Sequence, residues 1–247
     1  MQQLREIFQT TTNRLVAINI VVFIILDAVF AGARSGFELY FWQKPEFHIW
    51  QLVSYMFLHG GWTHLAFNML ALWSFGRVLE RVWGAQRFLF FYLVCGVGAA
   101  LLHLAVANYQ FQEIYQQILA AGFSELDIQS VLNEGRDISV ASAAISTEML
   151  REFYALYNLP AVGASGAVYG ILVAFALLFP DFKVILIFLP IPVAAKYFVP
   201  VLLLIDLSAG LTGFSIFGSS IAHFAHIGGA LVGFVLVNIW LRQQPGR

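Results

Sequence analysis

The residues with chemical potential sit inside stretches that are otherwise apolar. In GASGAVYG (163–170), Ser165 lies among Gly163, Ala164 and Gly166, so its hydroxyl stays accessible. If a helix starts there, its free backbone N–H groups suit an oxyanion. Tyr169 then falls one turn on, on the same face. A serine becomes a nucleophile with a base beside it, usually histidine. The stretch AHFAHIGGALVGF offers His226, followed at i+3 and i+7 by Gly229 and Gly233. That glycine stripe lets its helix press on the small-residue face around Ser165. In HGGWTHLAFNML, His64 and Asn68 are spaced i,i+4, and both can donate hydrogen bonds to negative charge on a tetrahedral intermediate. Each motif also has a plainer reading as close packing or as polar contacts between helices.

The elements that must hold these residues are membrane spans. The chain of 247 residues is 60% hydrophobic and 16% aromatic, and only 11% charged, less than half the usual share of about 25%. A formal net charge of −1 gives no case for nucleic acid, and the single cysteine, Cys95, excludes an internal disulfide and a cysteine-based zinc site. Six apolar stretches approach the roughly 20 residues that cross a bilayer. They cover 15–33, 62–80, 88–107, 162–179, 197–212 and 222–241. The first lacks a small-residue cleavage site followed by a polar chain, so it reads as a retained helix. The fold class is an all-α polytopic membrane protein, a single membrane domain. Polar groups at membrane depth default to function. Asp27, Asp206 and His103 qualify but receive no role beyond a structural or lining position. His223 is expected near a loop, without a role.

With the N-terminus cytoplasmic, that side holds nine Lys and Arg (Arg5, Arg14, Arg77, Arg81, Arg87, Lys183, Lys196, Arg242, Arg247). The far side holds Arg34, Lys44, Arg136 and Arg151. The bias puts both termini in the cytoplasm. Residues 34–61, rich in Trp and Tyr, read as a loop lying in the membrane interface. Residues 183–197 contain Pro190 and Pro192 and read as an interfacial connection, not a span. The polar stretch 108–158 predicts an extramembrane insertion of two or three amphipathic helices. Its segments are FQEIYQQILAAG, a helix capped at Ser124–Asp127, and STEMLREFYALY.

Taken together, HLAFN, GASG and AHIGG, in this order and on these spans, resemble the rhomboid family of intramembrane serine proteases. The resemblance covers roughly 15–107 and 159–242. It implies a Ser–His dyad without an acidic third member: Ser165 as nucleophile, His226 as general base and then acid. Tyr169 would stack on His226 and orient it in place of a carboxylate. His64, Asn68 and the Ser165 backbone N–H would bind the oxyanion, with Gly163, Gly166, Gly229 and Gly233 in support. The family cleaves membrane-anchored substrates in or near their transmembrane segments. Neither cofactor nor metal is implied, and the partners are transmembrane protein substrates and the lipid bilayer. The family often has Trp-Arg in the first outer loop where this chain has Trp50-Gln51, which bears on loop anchoring. A six-span core without an organelle-type presequence points to a bacterial cytoplasmic membrane.

Two other readings compete. A non-proteolytic relative that binds membrane clients is disfavoured by the presence of Ser165 and His226. A transporter using Asp27, Asp206 and the histidines as a proton relay lacks an inverted repeat.

Overall fold

A computed structural model describes residues 9–26, 30–134, 145–186, 189–212 and 222–243. The chain is mostly helical. Helix α1 (Thr11–Ile24) is capped by the Thr10 side chain, which accepts from the Asn13 N–H at 3.2 Å. The Glu80 carboxylate also accepts from the backbone N–H of Thr11 (2.6 Å) and Thr12 (2.8 Å) and from the Thr12 hydroxyl (2.6 Å). Two of the N–H groups that any helix start leaves open are thus taken by a buried acid, at the end where negative charge is favoured. Asp27 lies outside the described residues.

Helix α2 (Trp62–Ala71) runs through a π-helical turn, Leu72–Gly76, into α3 (Arg77–Trp83). Gly84, at φ +80°, ends that run, a conformation glycine adopts without steric cost. Next comes α4 (Ala85–Ala120). The apolar pattern suggested a helix stopping near 107, with a separate one over 111–122. The two are one helix of 36 residues, about 54 Å long at 1.5 Å per residue. No Gly or Pro interrupts residues 99–121. Ala107, Phe111, Ile114 and Ile118 recur at helical spacing and are buried in a cluster of their own. That cluster includes Phe41, Ile128, Leu150 and Phe153, from the first connection and from helices α5 (Glu125–Glu134) and α6 (Thr147–Asn158).

Helix α7 (Ser165–Leu178) is followed by a two-stranded antiparallel hairpin, β1 (Lys183–Leu186) and β2 (Leu189–Ala194). The interfacial connection expected here carries strands, which tolerate the prolines that exclude a helix. Helix α8 (Ala195–Thr212) and helix α9 (His223–Arg242) complete the chain. Among the described residues, three helices, α4, α8 and α9, are long and apolar enough to cross a membrane, while α1 and α7 are shorter and apolar.

The main core joins α1, α2, α4, α7, α8 and α9 around Met56, Leu72, Phe88, Phe91, Cys95 and Ile171. Helix α9 packs against both α4 and α7. Its glycines permit the approach: a Cβ on Gly229 would collide with the Gly166 carbonyl, and one on Gly233 would lie 2.8 Å from both Cα and O of Gly170. The outer faces stay apolar, with Leu101, Leu204, Leu211, Leu231 and Phe234 exposed. Such a belt has no place in water and suits lipid. This is a multi-pass integral membrane protein.

Candidate active site

The extended stretch ahead of α7 is held from outside. Leu39 and Ala161 exchange backbone hydrogen bonds (3.0 and 2.9 Å), and the Gly163 N–H donates to the Tyr55 carbonyl at 2.9 Å. Tyr55 is itself pinned, its hydroxyl donating to the Gly96 carbonyl at 2.8 Å. Gly163 turns the chain at φ +126° into the helix, and Ser165 is the first residue of α7. The N–H groups of Ser165 and Gly166 precede the first intrahelical bond, from Val168 N–H to Ala164 O, so the helix does not use them. Residues 34–61 thus lie over this end of the bundle. Gln51, where the resemblance suggests arginine, is fully buried. Its Nε2 donates to the Glu46 carbonyl at 2.8 Å and its Oε1 accepts from the Tyr40 N–H at 3.3 Å. Gln51 anchors the loop without a charge.

Close packing of α7 on α9 brings Ser165 and His226 together, with Oγ 2.8 Å from Nε2. Tyr169 stacks on the His226 ring at a centroid separation of 4.2 Å and an interplanar angle of 11°. His64 borders the same space: a Cβ on Gly163 would lie 2.8 Å from His64 Nε2 and 3.6 Å from Ser165 Oγ. The Gly60 N–H donates to His64 Nδ1 at 3.2 Å. In the neutral ring the proton is then on Nε2, the nitrogen nearest Gly163, an assignment that follows from the hydrogen-bond network. Asn68 departs from the sequence expectation in detail. It is buried, but its Nδ2 donates back to the His64 carbonyl at 2.9 Å, while its Oδ1 has no hydrogen-bond partner among the described residues.

Two residues given no role from sequence lie at the centre. Asp206, on α8, is buried, and its Oδ1 is 3.2 Å from His226 Nδ1 and 2.5 Å from His223 Nδ1. The Tyr169 hydroxyl donates to its Oδ2. The resemblance implied no acidic third member, yet a buried acid lies beside His226; His223, expected near a loop, stands where the preceding connection enters α9. His223 opens α9 and is buried. The i,i+3 spacing of His223 and His226 was the available signal: both face one way, toward whatever polar group α8 presents. Asp206, His223 and His226 also offer ligand atoms all within 4.8 Å of one another, a set able to hold a metal ion, although the sequence implied no metal. Hydrogen bonding of the Asp206 carboxylate with two imidazoles and a phenol hydroxyl accounts for the same cluster without an ion. His103 is partly buried on α4 and joins none of these hydrogen bonds.

The arrangement can do acyl-transfer chemistry, with a hydroxyl on an imidazole, N–H donors at a helix start and a further imidazole N–H beside them. Comparison with known proteins points the same way. The Rhomboid domain family model matches residues 46–127 and 137–243. The chain is 33% identical over 105 residues to Rhomboid protease GluP of Bacillus subtilis, covering 40% of this chain and 21% of that protein. It is 31% identical over 136 residues to Rhomboid protease AarA of Providencia stuartii (49% and 47%). With the mitochondrial Rhomboid protein 1 of Saccharomyces cerevisiae it shares 28% identity over 182 residues (74% and 39%). The matches span less than half the length of these three relatives. With the family model covering well over half of its residues, this chain belongs to the rhomboid family.

Proposed function

We propose that this chain is an intramembrane serine endopeptidase that cleaves membrane-anchored proteins in or near their transmembrane segment. The observation that carries the reading is the 2.8 Å contact between Ser165 Oγ and His226 Nε2. Ser165 attacks the scissile carbonyl carbon while its proton passes to His226 Nε2. The carbonyl π electrons move onto oxygen. That oxyanion is met by the N–H groups at the start of α7, by His64 Nε2–H and by Asn68 if its amide turns. His226 then gives its proton to the leaving amine, the C–N bond breaks, and water repeats the sequence on the acyl-enzyme. Gly163, Gly166, Gly229 and Gly233 keep the two helices close enough for this. The chain crosses the membrane six times with both termini in the cytoplasm, 108–158 outside the bilayer and the site toward the far face. The bacterial cytoplasmic membrane is the proposed location.

The test is covalent. The detergent-purified protein is treated with a fluorophosphonate, and wild type, Ser165→Ala and His226→Ala are compared by intact mass. Labelling of wild type alone is the expected result. Equal labelling of Ser165→Ala, or none of a folded wild type across several probe shapes, overturns the reading.

A further inference from the structure

We propose that Asp206 is a positioning residue for this reaction, completing a Ser165–His226–Asp206 relay drawn from three helices. The inference rests on Ser165 and His226 being nucleophile and base. It begins from what a carboxylate can do. Ionised, Asp206 only accepts hydrogen bonds, so the nitrogen facing its Oδ1 at 3.2 Å must carry a proton. That nitrogen is His226 Nδ1. In the neutral ring the lone pair is then on Nε2, and Nε2 is the atom 2.8 Å from Ser165 Oγ. The acid selects the one tautomer that can take the serine proton. Tyr169 cannot do this: its ring stacks on the imidazole and fixes the plane, but touches neither nitrogen along a hydrogen-bonding direction.

The carboxylate is held so that it can serve. Asp206 is only 5% exposed, and an ionised buried acid needs partners. It has three: His226 Nδ1, His223 Nδ1 at 2.5 Å and the Tyr169 hydroxyl. Tyr169 takes Oδ2, leaving Oδ1 for the two histidines. Tyr169 therefore acts twice, stacking on His226 and aiming the acid at it. When Ser165 transfers its proton, the imidazolium forms against a negative group already in place, and the proton stays on Nε2 for the leaving amine. Asp206 exchanges no proton. The titratable groups that face His226 are Asp206 from α8, Tyr169 from α7, His223 from its own helix, and His64 and His103, which act on it through space from α2 and α4.

The experiment measures the second-order rate of fluorophosphonate labelling from pH 5 to 9, with thermal melting of each variant as the fold control. The variants are Asp206→Asn, Asp206→Glu and Ser165→Ala. An asparagine can donate to Nδ1, which moves the ring proton to Nε2 and removes the acceptor. By analogy with serine triads, Asp206→Asn loses about 10³–10⁴-fold in labelling rate. Asp206→Glu keeps the charge and recovers part of the rate, and it decides the question if Asp206→Asn does not fold. A wild-type labelling rate in folded Asp206→Asn overturns the relay, as does a folded Asp206→Glu no faster than Ser165→Ala. Labelling that persists in Ser165→Ala instead removes the reading on which the relay stands.

Discussion

Replacing Gly229 by alanine tests whether helix packing sets the chemistry. A Cβ at 229 would sit 2.6 Å from the Gly166 carbonyl carbon and 3.2 Å from its Cα, and closer still to the carbonyl oxygen. Ordinary contact between carbon atoms is about 3.5–4.0 Å, so α7 and α9 must part by roughly 1 Å. These are backbone atoms that cannot rotate aside. Gly166 adjoins Ser165 and His226 is three residues from Gly229, so the separation falls on the reacting pair. A 2.8 Å hydrogen bond lengthened by that much is no longer one. Misplacement by 1 Å costs about 10²-fold in rate, and overpacking about 1–3 kcal/mol of stability. The assay is the labelling rate of Ser165 with a melting curve on the same sample. Gly32→Ala is the control, since a Cβ there meets nothing within 4 Å. Expected are a loss of about 100-fold for Gly229→Ala and none for Gly32→Ala. Labelling of Gly229→Ala at the wild-type rate, with unchanged melting, would refute the link between the glycine stripe and the site.

Two further outcomes are expected. His59 lies in the connection before α2, 1% exposed, and burial pushes its imidazole down to about 3, with His64 and Arg34 adding to the effect. Above pH 6.5 the folded and unfolded chains both hold it neutral. Below that, the unfolded chain takes a proton the folded chain refuses, so stability falls by about 1.4 kcal/mol per pH unit, or about 2 kcal/mol from pH 6.5 to 5. His59→Gln should flatten that part of the melting-against-pH curve, and parallel curves for the two proteins would show that His59 is not the group titrating. The second outcome concerns the oxyanion donors. His64→Ala should slow substrate cleavage by about 10²–10³-fold through kcat. Asn68→Ala should slow it less, because the Asn68 amide is committed to the His64 carbonyl. A larger loss at Asn68 would reverse their order.

Where one short segment held all the information, the sequence was readable. GASG and the glycines after His226 announce close helix approach, and those glycines do meet across α7 and α9. Where the outcome depended on what a distant element supplies, it was not. Helix α4 continues past residue 107 with Phe111, Ile114 and Ile118 still at helical spacing, but the α5 and α6 residues they bury against lie farther along the chain. Asp206 could be recognised as costly at membrane depth, but its partners lie 17, 20 and 37 residues away on two other helices. Only the i,i+3 pair of histidines hinted that one acid would face both.

The Glu80 contacts carry a consequence for the order in which the protein is assembled. Chains are made from the N-terminus, so α1 emerges before α3, and the acid that closes its first turn follows 68 and 69 residues later. A lone helix of 14 residues is marginal, and this one waits with open N–H groups until α3 arrives. Glu80 therefore acts as a latch on biogenesis: the start of α1 is completed only after α3 is in place. A chain cut off before residue 80 should leave α1 unmoored at its start, exposed to whatever surveys unfinished proteins at the membrane.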